Sequence, residues 1–251
     1  MLSILEQTAH RPWPLPVGAW IMRQKWHDLL FAHWRVDVDE LRRLVPQSLE
    51  LDLLNCEAWV GVVPFWMSGV RFRCMPPLPF AHRFPELNVR TYVIDHKQGL
   101  PGVYFFSLDA TSLPAVCGAR LSFHLPYFWS RMSVHHAAEN KIKYESYRVQ
   151  QSRAAEFKAT YYPTGDAFTP QPGTIEHFLT ERYCLYTTNR RGEVLRCNIH
   201  HPPWQLRAAE ADIHLNSMAM AAGINLPSDA PLLYYAAPQD VVVWGLEKVS
   251  C

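Results

Sequence analysis

Prolines at positions 12, 14, 16, 46, 64, 76, 77, 79, 85, 101, 114 and 126 punctuate the first half of the chain. That spacing disfavours long helices and suits short strands joined by turns. Between the prolines lie apolar or alternating runs: AWVGVVPFWM (58–67), LNVRTYVI (87–94), GVYFFSLDA (102–110) and GARLSFHL (118–125). The second half adds YESYRVQQ (144–151), EFKATYYP (156–163), RYCLYTT (182–188), EVLRCNIHH (193–201) and DVVVWGLEKV (240–249). About ten strands are expected. Two helices are predicted. VDVDELRRLVP (36–46) offers Asp37 as N-cap with Glu40 three residues on, and GTIEHFLTERY (173–183) offers Thr174 as cap. Weaker helical fragments fall near 208–222. The expected class is mainly β, an antiparallel sheet or barrel with a few short helices.

A chain of 251 residues suffices for a single domain over 1–251, and 49% hydrophobic with 19% charged residues is a globular composition. A formal charge of +1 and the lack of any Lys/Arg run argue against nucleic acid as a partner. No stretch has the apolar length of a membrane span, and the N-terminal MLSILEQTAHRPWPLP lacks a signal-peptide pattern, so a cytoplasmic location is expected. The six cysteines are scattered without a C-x-x-C, so neither a disulfide scaffold nor a cysteine zinc site is expected. No phosphate-binding, dinucleotide-binding, zincin or nucleophile-elbow motif occurs. No cofactor and no metal are expected, although a histidine site drawn from distant strands stays conceivable.

One row of residues carries chemistry. In FPELNVRTYV (84–93) a strand's period of two puts Glu86, Asn88, Arg90 and Tyr92 on one face. Such a row is either a wet surface with a weak ion pair or the lining of a pocket. The following run, GVYFFSLDA, is apolar on both faces, so its neighbour is expected to be covered too, and buried charges need partners or a polar hollow. Read as a third strand, GARLSFHLPY adds Arg120 and His124, with Tyr127 at its mouth. The expected cavity is bounded by Glu86, Asn88, Arg90, Arg120, His124 and Tyr127 and walled by Tyr104, Phe106 and Trp129. Arginine suits a carboxylate, and histidine can move protons near neutral pH. A core histidine bonded to a carbonyl remains the alternative for His124.

The runs FAHWRVDVDELRRLVP (31–46), AWVGVVPFWM, FPELNVRTYV, GVYFFSLDA, FLTERYCLY and HHPPWQL (200–206) resemble the bacterial YqjF-like proteins, a family of unknown function, over about residues 13 to 215. That family is similar in fold to acetoacetate decarboxylase, which implies an antiparallel β cone around a small-molecule cavity. The decarboxylases act through a lysine Schiff base; the handling of such a lysine by a cationic neighbour is a standard example of nucleophile activation. The resemblance matches Gly118-Ala119-Arg120 through Pro126-Tyr127-Phe128 to the segment that carries the decarboxylase lysine pair, and Tyr127 and Phe128 stand in those two places. Glu86 matches an acidic pocket residue. No lysine lies between Lys97 and Lys141, and Lys158, on a strand face with Glu156 and Thr160, reads as solvated.

Three functions follow as expectations. The first is a binding protein for a small organic acid, ketone or phenol that lacks the Schiff-base lysine. The second is an acid–base enzyme (lyase, dehydratase or isomerase) acting beside a carbonyl, with Glu86, His124 and Tyr127 as catalytic candidates. The third is a structural or homo-oligomer-forming protein, with DVVVWGL either a closing strand or an exposed pairing edge.

Overall fold

The computed structural model describes residues 3–77, 79, 81–149 and 154–249. Among them the strands are β1 (Met22–His27), β2 (Leu29–Val36), β3 (Leu49–Leu51), β4 (Ala58–Phe72), β5 (Phe84–Asp95), β6 (Pro101–Ala110), β7 (Tyr127–His136), β8 (Ile142–Arg148), β9 (Glu156–Phe168), β10 (Cys184–Thr188), β11 (Val194–His200), β12 (Leu206–Asn216), β13 (Leu232–Ala236) and β14 (Gln239–Lys248). The helices are α1 (Val38–Arg42), α2 (Leu113–Ser122), α3 (Ile175–Thr180) and α4 (Met218–Ala221).

All fourteen strands join one sheet that closes on itself twice. From β4 the pairings run through β1, β14, β11, β10, β6 and β5 and back to β4. A larger circuit leaves β6 through β7, β8, β9, β12, β13 and β2 and also returns to β4. Strands β4, β5 and β6 are therefore a wall common to both. Ladders are antiparallel except where β6 meets β10 and β7. The larger circuit is filled by an apolar core including Leu30, Val62, Leu87, Val89, Tyr144 and Phe157. Leu87 and Val89 enter that core from β5, so the alternate residues of the same strand must face the smaller circuit.

The helix caps follow the sequence. Asp37 Oδ1 accepts the Glu40 N–H at 2.8 Å, and Thr174 Oγ1 accepts the His177 N–H at 3.3 Å. Three expectations are corrected. GARLSFHL is no strand: residues up to Ser122 form α2, which is capped by Ser112 and has Pro114 in its first turn. The segment near 208–222 is strand β12 before it becomes the short α4. The run 144–151 begins earlier, as β8, and its residues 150 and 151 lie outside the described residues. Strands β1, β2, β3, β7 and β12 were not anticipated. β14 pairs on both sides, with β1 and β11, and so closes the smaller circuit instead of forming an edge.

The parallel β6–β10 seam needs a glycine. A Cβ on Gly102 would sit 2.7 Å from Cys184 Sγ and from Tyr186 Cε2, and 2.8 Å from the Cys184 carbonyl oxygen. Gly102→Ala is expected to cost about 1–3 kcal/mol through overpacking. Urea unfolding should show a lower midpoint with an unchanged slope.

Candidate functional site

A cavity of about 240 Å³ lies inside the smaller circuit. Its walls are mostly apolar: Val63, Phe65 and Met67 from β4, Trp26 from β1, Ile199 from β11 and Val243 from β14. Helix α2 covers one side with Pro114, Ala115, Gly118, Ala119 and Ser122. Ala115, Gly118, Ala119 and Ser122 recur at helical spacing, so one narrow face of small side chains meets the cavity.

The polar lining comes from the β5 row. Glu86 and Asn88 are 3% and 4% exposed, and Arg90 is half-buried beside them. The Tyr127 hydroxyl donates to Glu86 Oε2 at 2.6 Å. Burial pushes the Glu86 carboxyl up to about 8, helped by the Asp109 charge and opposed by the Tyr127 hydrogen bond. Burial, then the neighbouring Glu86, raises Tyr127 well above an ordinary phenol. At neutral pH Glu86 is therefore protonated. Asn88 Oδ1 and Arg90 Nε are buried without a hydrogen-bond partner. Arg90 Nη2 donates to the Leu179 carbonyl at 3.3 Å, and its guanidinium lies 5.3 Å from the Phe31 ring centre. Tyr92 continues the row, fully buried. Its hydroxyl donates to the Leu179 carbonyl at 2.8 Å and meets His33 Nε2 at 2.6 Å. Burial, then the charge of Arg90, holds His33 well below the usual imidazole range and hence neutral.

The other expected residues lie elsewhere. Arg120 is exposed on α2, where its Nε donates to the Tyr127 carbonyl at 2.6 Å and braces the residue that reaches Glu86. His124 is exposed, at φ 50°, beyond the end of α2, and does not line the cavity. Both misplacements follow from α2 being a helix. Tyr104 and Phe106 pack away from the cavity, against the cluster of Val45, Leu49, Val93 and Tyr186. The cause is a bulge: Val89 pairs with Ser107 but Arg90 with Phe105, so Phe106 has no partner and the phase of β6 changes there. Val103, Phe105 and Leu108 face the cavity instead. Trp129 is 39% exposed on the outside.

Residues that sequence reasoning missed complete the lining: Gln24, Arg71, Thr180, Arg182, His201 and Trp204. Arg182 is paired with Asp52 through a short contact, and its Nε donates to the Phe178 carbonyl at 2.7 Å. His201 is buried between the Pro202 and Arg182 carbonyls at 2.8 and 3.3 Å. Thr180, Arg182, His201 and Trp204 fall in the FLTERYCLY and HHPPWQL runs, so the resemblance marked the segments although no spacing marked the residues. No lysine is among the lining residues, and Lys158 is exposed with Glu145 at 2.9 Å. Among the described residues no three His, Cys, Asp or Glu side chains are grouped to hold a metal ion, and no helix is long and apolar enough to cross a membrane.

A twice-closed, mainly antiparallel sheet around such a cavity is the acetoacetate decarboxylase-like fold. Acetoacetate decarboxylase from Legionella pneumophila superposes with a TM-score of 0.62 at 13% identity, over 98% of this chain and 95% of that one. The enduracididine biosynthesis enzyme MppR, in its complex with pyruvate, superposes with a TM-score of 0.63 at 11% identity, over 95% and 93%. At these identities the likeness is one of fold. In sequence, residues 23–240 match the DUF2071 family, described as an uncharacterized conserved protein. The uncharacterized protein YqjF of Bacillus subtilis (strain 168) is 50% identical over 236 residues, 94% of this chain and 96% of that protein. The chain belongs to the DUF2071 family.

The state of Glu86 has a measurable consequence. Its carboxyl holds a proton more tightly in the folded chain, at about 8, than at its ordinary value of 4.5. Its contribution to stability is complete below about pH 4.5 and is lost as pH rises to about 8, by up to roughly 1.4 kcal/mol per pH unit. Glu86→Gln, which keeps the shape and the acceptor, is expected to flatten this slope and to be more stable than the parent at pH 8. Chemical denaturation of both proteins at pH 5 and pH 8 measures the difference.

Proposed function

We propose that this chain binds a small organic carboxylate in the cavity, with Arg90 as the anchor of the anion. The observation that carries this reading is the state of Arg90. Arg90 lines the cavity, its guanidinium has no carboxylate partner among the described residues, and its buried Nε–H is unmet. A desolvated donor of that kind is costly unless something accepts from it, and a carboxylate matches its geometry. Glu86, neutral at pH 7, does not repel the anion. The apolar walls suit the remainder of a small organic acid, ketone or phenolic compound, and 240 Å³ limits its size. The pyruvate in the complex of the similarly folded MppR is a ligand of this class. One continuous sheet supports a single domain, and we place the protein in the cytoplasm.

A second reading rests on Glu86 and Tyr127. A carboxylic acid kept protonated at neutral pH by an apolar site can donate to a developing enolate, as is known for a protonated aspartate in ketosteroid isomerase. Exchange beside a carbonyl then needs no lysine: the ionised fraction of Glu86 takes the α-proton while the Tyr127 hydroxyl donates to the carbonyl oxygen, and the protonated Glu86 returns a proton to the carbon. Loss of α-deuterium from a bound ketone, abolished in Glu86→Gln, separates this activity from binding alone.

The binding reading is tested by thermal shift with small carboxylates, diketones and phenols. A ligand at 100 times its Kd should stabilise the chain by about 2.7 kcal/mol. The shift by carboxylates is expected to vanish in Arg90→Ala. It should also weaken above about pH 8, where Glu86 gains charge, and not do so in Glu86→Gln. A carboxylate shift that survives Arg90→Ala would remove Arg90 as the anchor.

A further inference from the structure

The proposed carboxylate pocket contains a second unmet atom whose chemistry is opposite to that of Arg90. Asn88 stands between Glu86 and Arg90 on the same face of β5, two residues from each, so its Cα is on the order of 7 Å from theirs. Its neighbours across the sheet are Val63 on β4 and Leu108 on β6, both apolar. Glu86 is engaged with Tyr127, and Arg90 with the Leu179 carbonyl. Asn88 Oδ1 therefore has no acceptable donor in the surrounding wall, yet it is buried and the residue is only 4% exposed. Such an acceptor is met from the cavity side once the Asn88 amide turns its oxygen toward the lumen.

We propose that the pocket takes a hydroxy acid: a carboxylate held by Arg90 whose neighbouring hydroxyl donates to Asn88 Oδ1. This rests on the carboxylate reading and narrows it. An unsubstituted acid meets Arg90 and leaves Asn88 unanswered. A 2-oxo acid sets one acceptor oxygen against another. An amino acid has donors, but it brings an ammonium close to the Arg90 guanidinium, and the protonated Glu86 offers no charge to offset it. A hydroxyl is neutral, donates once, and fits both constraints. The small-residue face of α2 and the apolar side chains Phe65, Phe105 and Leu108 leave the rest of the ligand free to be apolar.

The test is a matched series measured by titration calorimetry on the full chain: 3-phenylpropanoate, both enantiomers of 3-phenyllactate, and phenylpyruvate, with propanoate, lactate and pyruvate as a smaller set. In the parent protein one 2-hydroxy enantiomer is expected to bind roughly tenfold more tightly than its deoxy and oxo counterparts, the size of one buried hydrogen bond made against one left unmet. In Asn88→Ala, checked for folding by circular dichroism, that ratio should fall to about one while carboxylates still bind. Equal binding of hydroxy and deoxy acids in the parent, preference for the oxo acid, or a ratio that persists in Asn88→Ala would overturn the assignment and leave the carboxylate site standing. Absence of binding by every acid in both series would overturn the carboxylate site itself, and this assignment with it. The parent ratio decides the matter even where the variant fails to fold.

Discussion

The β5 strand has protein on both of its faces, and the rest of the site depends on that constraint. Because β4, β5 and β6 serve two closed circuits at once, no side chain in the middle of β5 can turn to bulk water. The two faces meet this differently. Behind the wall, Asp109 receives two hydrogen bonds from Arg148, at 2.7 and 2.6 Å, and one from Ser130 at 2.7 Å. That acid is fully answered, and it cross-links β6 to β7 and β8. In front of the wall, Glu86 surrenders its charge, Asn88 keeps a bare acceptor and Arg90 a bare donor. A domain with the means to satisfy a buried carboxylate so thoroughly behind the wall leaves the Asn88 acceptor and the Arg90 donor unmet in front of it. The Ser107 and Ser146 hydroxyls are also buried without a partner, so it is the place of Asn88 and Arg90 in the cavity lining that sets those two apart.

The same geometry explains how this chain diverges from the decarboxylases it resembles in fold. Of the two positions that the resemblance assigns to the lysine pair, only Tyr127 reaches the cavity. Phe128 turns outward beneath the Arg148 guanidinium, 3.8 Å from the ring centre, and near that of Arg120 at 5.8 Å. Tyr127 donates to the acid that faces it, so the one of those two positions that lines the cavity holds a hydrogen-bond donor. Arg120 and Asp109–Arg148 hold that tyrosine indirectly, one through its carbonyl and the other through the strand that carries it.

Much of the fold and part of the candidate site were legible in the sequence. The β5 row obeys the period of two without interruption, so Glu86, Asn88 and Arg90 were found as a group, and the doubly apolar β6 signalled that the wall was covered. β6 itself misled, because a one-residue bulge at Phe106 leaves no trace in composition and reverses every side chain beyond it. The 118–125 segment misled for another reason: Arg120, Ser122 and His124 alternate by coincidence, while Ser112 and Pro114, six and four residues before the segment, were the helix signals that mattered. β2, LLFAHWRV, is buried along most of its length on both faces, so it shows no alternation to read. The alanines of β12 suggested helix, but a long antiparallel pairing with β9 overrode that local preference. Arg182, His201 and Trp204 approach the cavity from beyond α3 and β11, and only the closed circuit brings them there.

Helix α2 has a consequence for how the cavity could diversify. The β5 row holds Glu86, Asn88 and Arg90, and the helix contributes mainly emptiness: Ala115, Gly118, Ala119 and Ser122 occupy little, and a methyl added at Gly118 would meet no atom within 4 Å. Capacity and chemistry are thus encoded on separate segments. Lineages of this family could trade cavity length for side-chain bulk along one short helix while leaving the polar row of β5 untouched.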